Sequence, residues 1–210
     1  MRLSFFKRAL LIAVPAVLLV PRPMLASIIF SENFDSSTPA LGVTTAGQFQ
    51  TFGGTNVDIV GGALFGSLCA APESGNCVDM NGTSGNSLGE LTTNLSLAAG
   101  TYFLSFDLIG SQRGVPTSTT VDFGPYSQTF LLASGDNSSG IIVNEMVTIT
   151  AGTQLEFVSN AVNGGNVFEG ALLDDVVIST SPVVPEPATI SLLATGLLGC
   201  AGAIRRRFSA

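Results

Sequence analysis

"TYFLSFDLIG", residues 101–110, decides the fold. Tyr102, Leu104, Phe106 and Leu108 alternate with Phe103, Ser105, Asp107 and Ile109, giving one strongly apolar side. A period of two belongs to a strand with one buried face. The same alternation recurs nearby. In "MVTIT" (146–150) Val147 and Ile149 alternate with Thr148 and Thr150, and in "TQLEFVSN" (153–160) Leu155 and Phe157 oppose Glu156 and Val158. "STTVDFGPYSQTFLL" (118–132) reads as two strands broken at Gly124-Pro125, and "GALLDDVVIST" (170–180) as a β-branched closing strand. Shorter strands are expected at 28–34, 49–52, 57–60, 63–68, 78–80 and 91–97. Turn signals such as Gly53-Gly54, Asn81-Gly82 and Gly135-Asp136-Asn137 recur about every ten residues. About ten short strands joined by tight turns predict an all-β domain, a jelly-roll-like two-sheet sandwich.

Composition agrees with that reading. The 210 residues are 46% apolar and 11% charged, with 24 Gly, no Trp and no His. That is too apolar and too weakly charged for a disordered chain. Charge is segregated. Arg2, Lys7, Arg8 and Arg22 lie at the start and Arg205, Arg206 and Arg207 at the end, leaving Arg113 as the sole cation between. All fifteen acids lie between Glu32 and Glu186. The chain carries −7, and without the seven terminal cations the middle carries −14. Such a region does not bind nucleic acid by neutralising phosphates.

The two ends are directed to a membrane. Residues 1–26 have the parts of an export signal: a basic start, an apolar run from Ala9 to Val20, helix-breaking Pro21 and Pro23, and small Ala26 before the cut. The apolar run of about a dozen residues is short for a spanning helix. At the other end, residues 181–187 form a tether. Residues 188–204 form an uncharged run at the lower limit of a transmembrane helix, and 205–210 a basic tail held on the cytoplasmic side. Pro187 suits a helix's first turn, and Glu186 lies at the positive end of its dipole. Residues 27–180 are then the exported domain, flanked by an N-terminal signal helix and a C-terminal transmembrane helix. Cys200 lies inside the span, either as a small packing residue or as a site of acylation or transient thiol chemistry.

Pro185-Glu186-Pro187, the short Gly/Ala/Leu-rich span and the cluster Arg205, Arg206, Arg207 together resemble the PEP-CTERM sorting signal of bacterial proteins exported alongside exopolysaccharide systems. The resemblance implies an exosortase and the export machinery as partners, with cutting near the Pro-Glu-Pro. It also implies a location in the cell envelope membrane before processing, and at the outer surface or in the extracellular matrix after it. The segments "ENFD", "NVDIVGG", "CVDMNGT", "AAGTYFLSFDLIGSQRG" and "GALLDDVVIS" resemble the jelly-roll domain of such proteins, related to galactose-binding-like and carbohydrate-binding modules. With no Trp, stacking on sugar rings would fall to Tyr102, Tyr126 and exposed Phe residues. In such modules the first and last strands share a structural calcium. Here those strands carry Glu32, Asp35, Asp174 and Asp175, which either hold a Ca2+, the one cofactor the resemblance suggests, or cap backbone N–H groups at the strand edge. Adjacent Asp174 and Asp175 would point to opposite faces of a regular strand, one of them inward unless a strand end or a cation relieves it.

The remaining chemistry is narrow. Cys69 and Cys77, in "CAAPESGNC", are expected to close a small disulfide loop in an oxidising compartment. Absence of His excludes Ser-His-Asp and Cys-His catalysis and His-ligated metals. A glycosidase would need two opposed carboxylates, with Glu73, Glu90, Glu145, Glu156 and Glu169 available. Arg113, in "GSQRG", is either a structural ion-pair partner or, with Tyr126, a ligand contact. The reading is a non-catalytic exported sandwich, structural or glycan-binding, sorted to the envelope or an extracellular polysaccharide matrix. The alternatives are a polysaccharide-active enzyme and a type I membrane protein whose ectodomain binds another protein.

Overall fold

A computed structural model describes residues 27–69, 74–84, 88–162, 164 and 167–183. The predicted signal segment and span lie outside these residues, as does the sorting motif from residue 184 onward. Among the described residues no helix is long and apolar enough to cross a membrane.

The described chain is an all-β, jelly-roll-like sandwich of two antiparallel sheets. In chain order the strands are β1 (Ile28–Glu32), β2 (Ala40–Val43), β3 (Thr45–Ala46), β4 (Phe49–Thr51), β5 (Val57–Val60), β6 (Cys77–Asp79), β7 (Glu90–Thr93), β8 (Gly100–Ile109), β9 (Thr117–Phe123), β10 (Tyr126–Leu132), β11 (Ile142–Ile149), β12 (Leu155–Asn160) and β13 (Leu172–Ser179). One sheet runs β11-β8-β13-β6-β5-β2, and the other β10-β9-β12-β7-β4-β3. One edge of β13 is shared: Leu172 and Leu173 pair with β6, while Val176–Ser179 pair with β1.

The alternation at 101–110 is the central strand β8. Tyr102, Leu104, Phe106 and Leu108 are buried between the sheets. Phe106 meets Phe157 and Phe130 edge-on, with centroids 5.3 and 5.8 Å apart, and Phe49 packs on Phe30, Phe34 and Phe157. These contacts add to area burial because a ring's edge and face carry opposite partial charge. A smaller apolar layer of Val60, Leu68, Cys77, Ile109 and Leu172 lies on the outer side of the first sheet, against Cys69. The predicted disulfide is present, joining Cys69 to Cys77 with Cα atoms 5.7 Å apart.

Three expectations change. Residues 63–68 are not a strand. Gly61 and Leu64 pair locally, Phe65 is left-handed (φ 56°), and Gly66–Leu68 form a 3-10 turn. The expected strand at 91–97 stops at Thr93, with Leu97 making an isolated bridge to Thr153. β2 and β3 were not anticipated, because "ALGVTTA" is short and interrupted by Gly42. That glycine has φ 61°, and a Cβ there would overlap Ser84.

The Asp174-Asp175 problem is solved by the backbone. Asp174 stands opposite Asp107, on the face away from the core, and the register then shifts before Val177. Asp175 takes the extra position in a left-handed conformation (φ 48°) and is exposed, so Val176 and Ile178 return to the core. Neither aspartate enters the apolar interior. A bulge inserts one residue and thereby resets which side chains face inward.

Candidate functional site

The apolar layer between the sheets changes character towards one end. On β9 the inward positions read Phe123, Val121, Thr119, Thr117, and on β12 they read Leu155, Phe157, Ser159, all of them buried. Hydroxyls at core-phase positions mark where the sandwich opens. A cleft of about 50 Å³ lies there, lined by Asn81, Thr117, Ser118, Ser159, Asn160 and Glu169, with Leu88, Pro116, Val162 and Val167 as its apolar wall.

The walls are held by a hydrogen-bonded layer behind them. Ser159 Oγ donates to Asn81 Oδ1, and Asn160 Nδ2 donates to Thr120 Oγ1 at 2.9 Å. The main chain is stitched by Met80 N–H to Ala171 O (2.9 Å), Gly89 N–H to Met80 O (2.9 Å) and Ser159 N–H to Gly89 O (2.8 Å). Asp79 is the hub. Its Oδ1 accepts from Gly170 N–H at 2.7 Å and Asn81 N–H at 3.0 Å, and its Oδ2 pairs with the Arg113 guanidinium. Gly170 must be glycine, since a Cβ would overlap Asn81 N and Asp79 Oδ1. Burial pushes the Asp79 carboxyl up to about 6, although Arg113 and the two N–H donors oppose the shift.

Arg113 is therefore a structural cation committed to Asp79, on the loop that leads into Pro116 and Thr117. Tyr126 lies at the other end of β9, opposite Phe123, and its hydroxyl donates to Gln128 Oε1 at 2.9 Å. Burial, with the nearby Glu145, raises its pKa to about 12. Seven residues of strand, about 20 Å, separate the two, so they do not share a site.

The carboxylates expected to hold calcium fall into two settings. Glu32 Oε1 accepts from Phe34 N–H and Oε2 from Gln48 N–H, both at 2.8 Å. Asp35 Oδ1 accepts from Asn76 N–H at 2.9 Å, tying the first strand's turn to the disulfide loop. Asp174 is buried. Its Oδ1 accepts from Asp175 N–H at 2.8 Å. Burial pushes Asp174 up to about 7; the main-chain N–H groups of Asp175 and Ser74 oppose this, and the Asp175 and Asp35 carboxylates add to it. Asp107 is raised by burial and by Asp175. Among the described residues no three His, Cys, Asp or Glu side chains are grouped to hold a metal ion.

The cleft residues Asn81, Thr117, Ser159 and Asn160 were not singled out from sequence. The signal was present: Thr117 and Thr119 keep phase with Val121 and Phe123, and Ser159 keeps phase with Phe157. A run of polar residues at inward positions marks either a strand end or a site.

Fold and cleft define a jelly-roll sandwich that opens at one end into a hydroxyl- and amide-lined pocket. The chain carries the PEP-CTERM protein-sorting motif, matched over residues 183–207, which marks it as an exported protein. No curated relative matches the chain. Among solved structures it is similar to the K3 adhesin domain of Lys-gingipain from Porphyromonas gingivalis, at 17% identity, covering 73% of this chain and 99% of that one, with a TM-score of 0.46. It is also similar to a family 35 carbohydrate-binding module from Clostridium thermocellum, at 14% identity over 72% and 98% of the two chains and a TM-score of 0.38. The C-terminal CBM6 of LamC, a marine laminarinase from Zobellia galactanivorans, matches at 11% identity over 71% and 98%, with a TM-score of 0.35.

Proposed function

We propose that this is an exosortase-sorted protein of the cell envelope or extracellular matrix whose sandwich is a non-catalytic, glycan-binding module. The observation that carries the reading is the cleft. Convergent hydroxyl and amide groups beside an apolar wall suit a polyol, which offers both hydrogen-bonding groups and C–H faces. Phe168, between lining residues Val167 and Glu169, is exposed and adds an aromatic surface in a chain without Trp. Hydrolysis of a glycosidic bond takes two carboxylates, and among the described lining residues Glu169 is the one carboxylate.

The test is a glycan array probed with the full-length chain in mild detergent, alongside Asn160→Ala and Phe168→Ala variants. Binding that both substitutions weaken supports the module. Absence of binding to every glycan, or shortening of the polymer during incubation, overturns it.

Calcium belongs to the same proposal in a narrower form. Both Glu32 oxygens are occupied by main-chain donors, so a cation there would act on Asp174, whose charge the nearby Asp175 and Asp35 carboxylates oppose, and would take its other ligands from main-chain carbonyls or water. Chelation is expected to lower the melting temperature, and an unchanged value removes calcium from the reading.

A further inference from the structure

Glu169 is a partly buried carboxylate in the cleft wall that makes no hydrogen bond or ion pair. That sets it apart from Ser159, Asn160 and Asp79, whose polar atoms are paired. Its immediate neighbour Gly170 is fixed to Asp79, so Glu169 is presented by an anchored main chain. The one cation among the described residues, Arg113, is taken by Asp79 and is not free to neutralise it. A second group at the same place also lacks a partner: the hydroxyl of Thr117, a residue only 4% exposed. An unpartnered carboxylate and an unpartnered hydroxyl in one small cleft call for a ligand that brings a cation and a hydrogen-bonding group.

The field of the whole domain narrows the ligand further. With −14 between the two basic ends, a uronate, sulfate or phosphate polymer is repelled, while a cation is drawn in. Lysine-bearing protein would satisfy the carboxylate alone. The hydroxyl and amide lining, with the apolar wall of Val162 and Val167, fits a sugar ring better than a flexible alkyl amine.

We propose that the cleft takes an amino sugar with a free, protonated amine, as in a de-N-acetylated hexosamine polymer, and that Glu169 pairs with the ammonium group. This rests on the glycan-binding reading above and names its ligand class. Binding of the full-length chain in mild detergent would be measured calorimetrically against a glucosamine hexamer, its fully N-acetylated counterpart, a neutral glucose hexamer and hexalysine. Glucosamine hexamer is expected to bind at least tenfold tighter than the other three. Glu169→Gln is expected to remove that preference, leaving the melting temperature unchanged. Equal affinity for the amine and its N-acetylated form overturns this proposal while leaving the module a glycan binder. Hexalysine binding as tightly as the glucosamine hexamer also overturns it, in favour of a protein ligand. No binding to any of the three sugars overturns this proposal, and absence of binding to every glycan on the array removes the module reading as well. If Glu169→Gln alters the fold, Glu169→Asp, which keeps the charge and shortens the reach, must still weaken the glucosamine hexamer selectively.

Discussion

Arg113→Met should destabilise this domain strongly at neutral pH and weakly in acid. Asp79 is fully buried and carries three contacts: Arg113, Gly170 N–H and Asn81 N–H. Even with these contacts, burial raises its pKa from 3.8 to about 6. A folded-state value above the unfolded one means that the native state holds the proton more tightly. Stability is then highest below pH 4 on this account and falls as pH rises from about 4 to about 6, by about 3 kcal/mol. Arg113 is the largest influence opposing the shift. Removing it leaves a buried carboxylate without its counter-charge, at a cost of about 3–5 kcal/mol above pH 7. At pH 4 the carboxyl is neutral in both proteins, and the difference should shrink to about 1 kcal/mol for the lost hydrogen bond. Urea midpoints of the full-length chain in mild detergent at pH 4.0 and 7.5 measure both numbers. The Arg113→Met/Asp79→Asn double variant should recover most of the loss at pH 7.5, because it removes the stranded charge. An equal loss at the two pH values, or a loss under about 1 kcal/mol at pH 7.5, refutes the claim that this pair holds the cleft end together.

Reduction of Cys69–Cys77 should lower stability by about 2.5 kcal/mol, the chain-entropy value for so short a loop, read as a lower urea midpoint with reductant. An unchanged midpoint would show that the loop is held by other contacts, such as Asn76 N–H to Asp35. Asn144 clamps the start of the tether. Its side-chain amide accepts from Val183 N–H at 2.7 Å and donates to Val183 O at 3.1 Å, from a left-handed backbone (φ 56°) that asparagine tolerates. Asn144→Ala should free that segment, speeding amide exchange at Val183 about tenfold or more for the two bonds lost. Exchange at the wild-type rate refutes the clamp.

Strand positions were legible where alternation was strict. β8, β9, β10 and β12 fall where the period-two segments lie, because each turns alternate apolar residues inward, such as Leu104 and Phe106, Val121 and Phe123, Phe130 and Leu132, and Leu155 and Phe157. Residues 63–68 misled because "ALFGSL" is apolar enough for a strand, but Phe65 sits in a left-handed turn with its ring exposed. The cleft was illegible for a different reason. Its lining comes from five separate segments, around Asn81, Leu88, Thr117, Asn160 and Glu169, and only the strand pairings bring them together. Sequence showed which groups were available, such as Glu169, but not which would be left without a partner. Arg113 was recognised as a lone cation. Its choice of Asp79 over the other carboxylates depends on β6 lying beside β13, a long-range pairing that local pattern does not carry.

β13 links these features. Its approach, Glu169 and Gly170, forms the cleft wall. Its bulge keeps Asp174 and Asp175 out of the core, and its end runs into Thr180, whose N–H is held by Ser27 O at 3.0 Å. The first described residue and Thr180 are therefore neighbours at the end of β13 away from the cleft, and the chain then doubles back, so that Val183 meets Asn144 beside Ser105, midway along β8. Eight residues of strand, about 25 Å, separate the two ends. The cleft wall and the junction of Ser27 with Thr180 thus sit at opposite ends of one strand. The polarity of β13 matters because its two ends are fixed differently: the Gly170 end by the buried Asp79 carboxylate paired with Arg113, the Thr180 end by a single main-chain bond to Ser27, so loss of Arg113 should loosen the cleft end first.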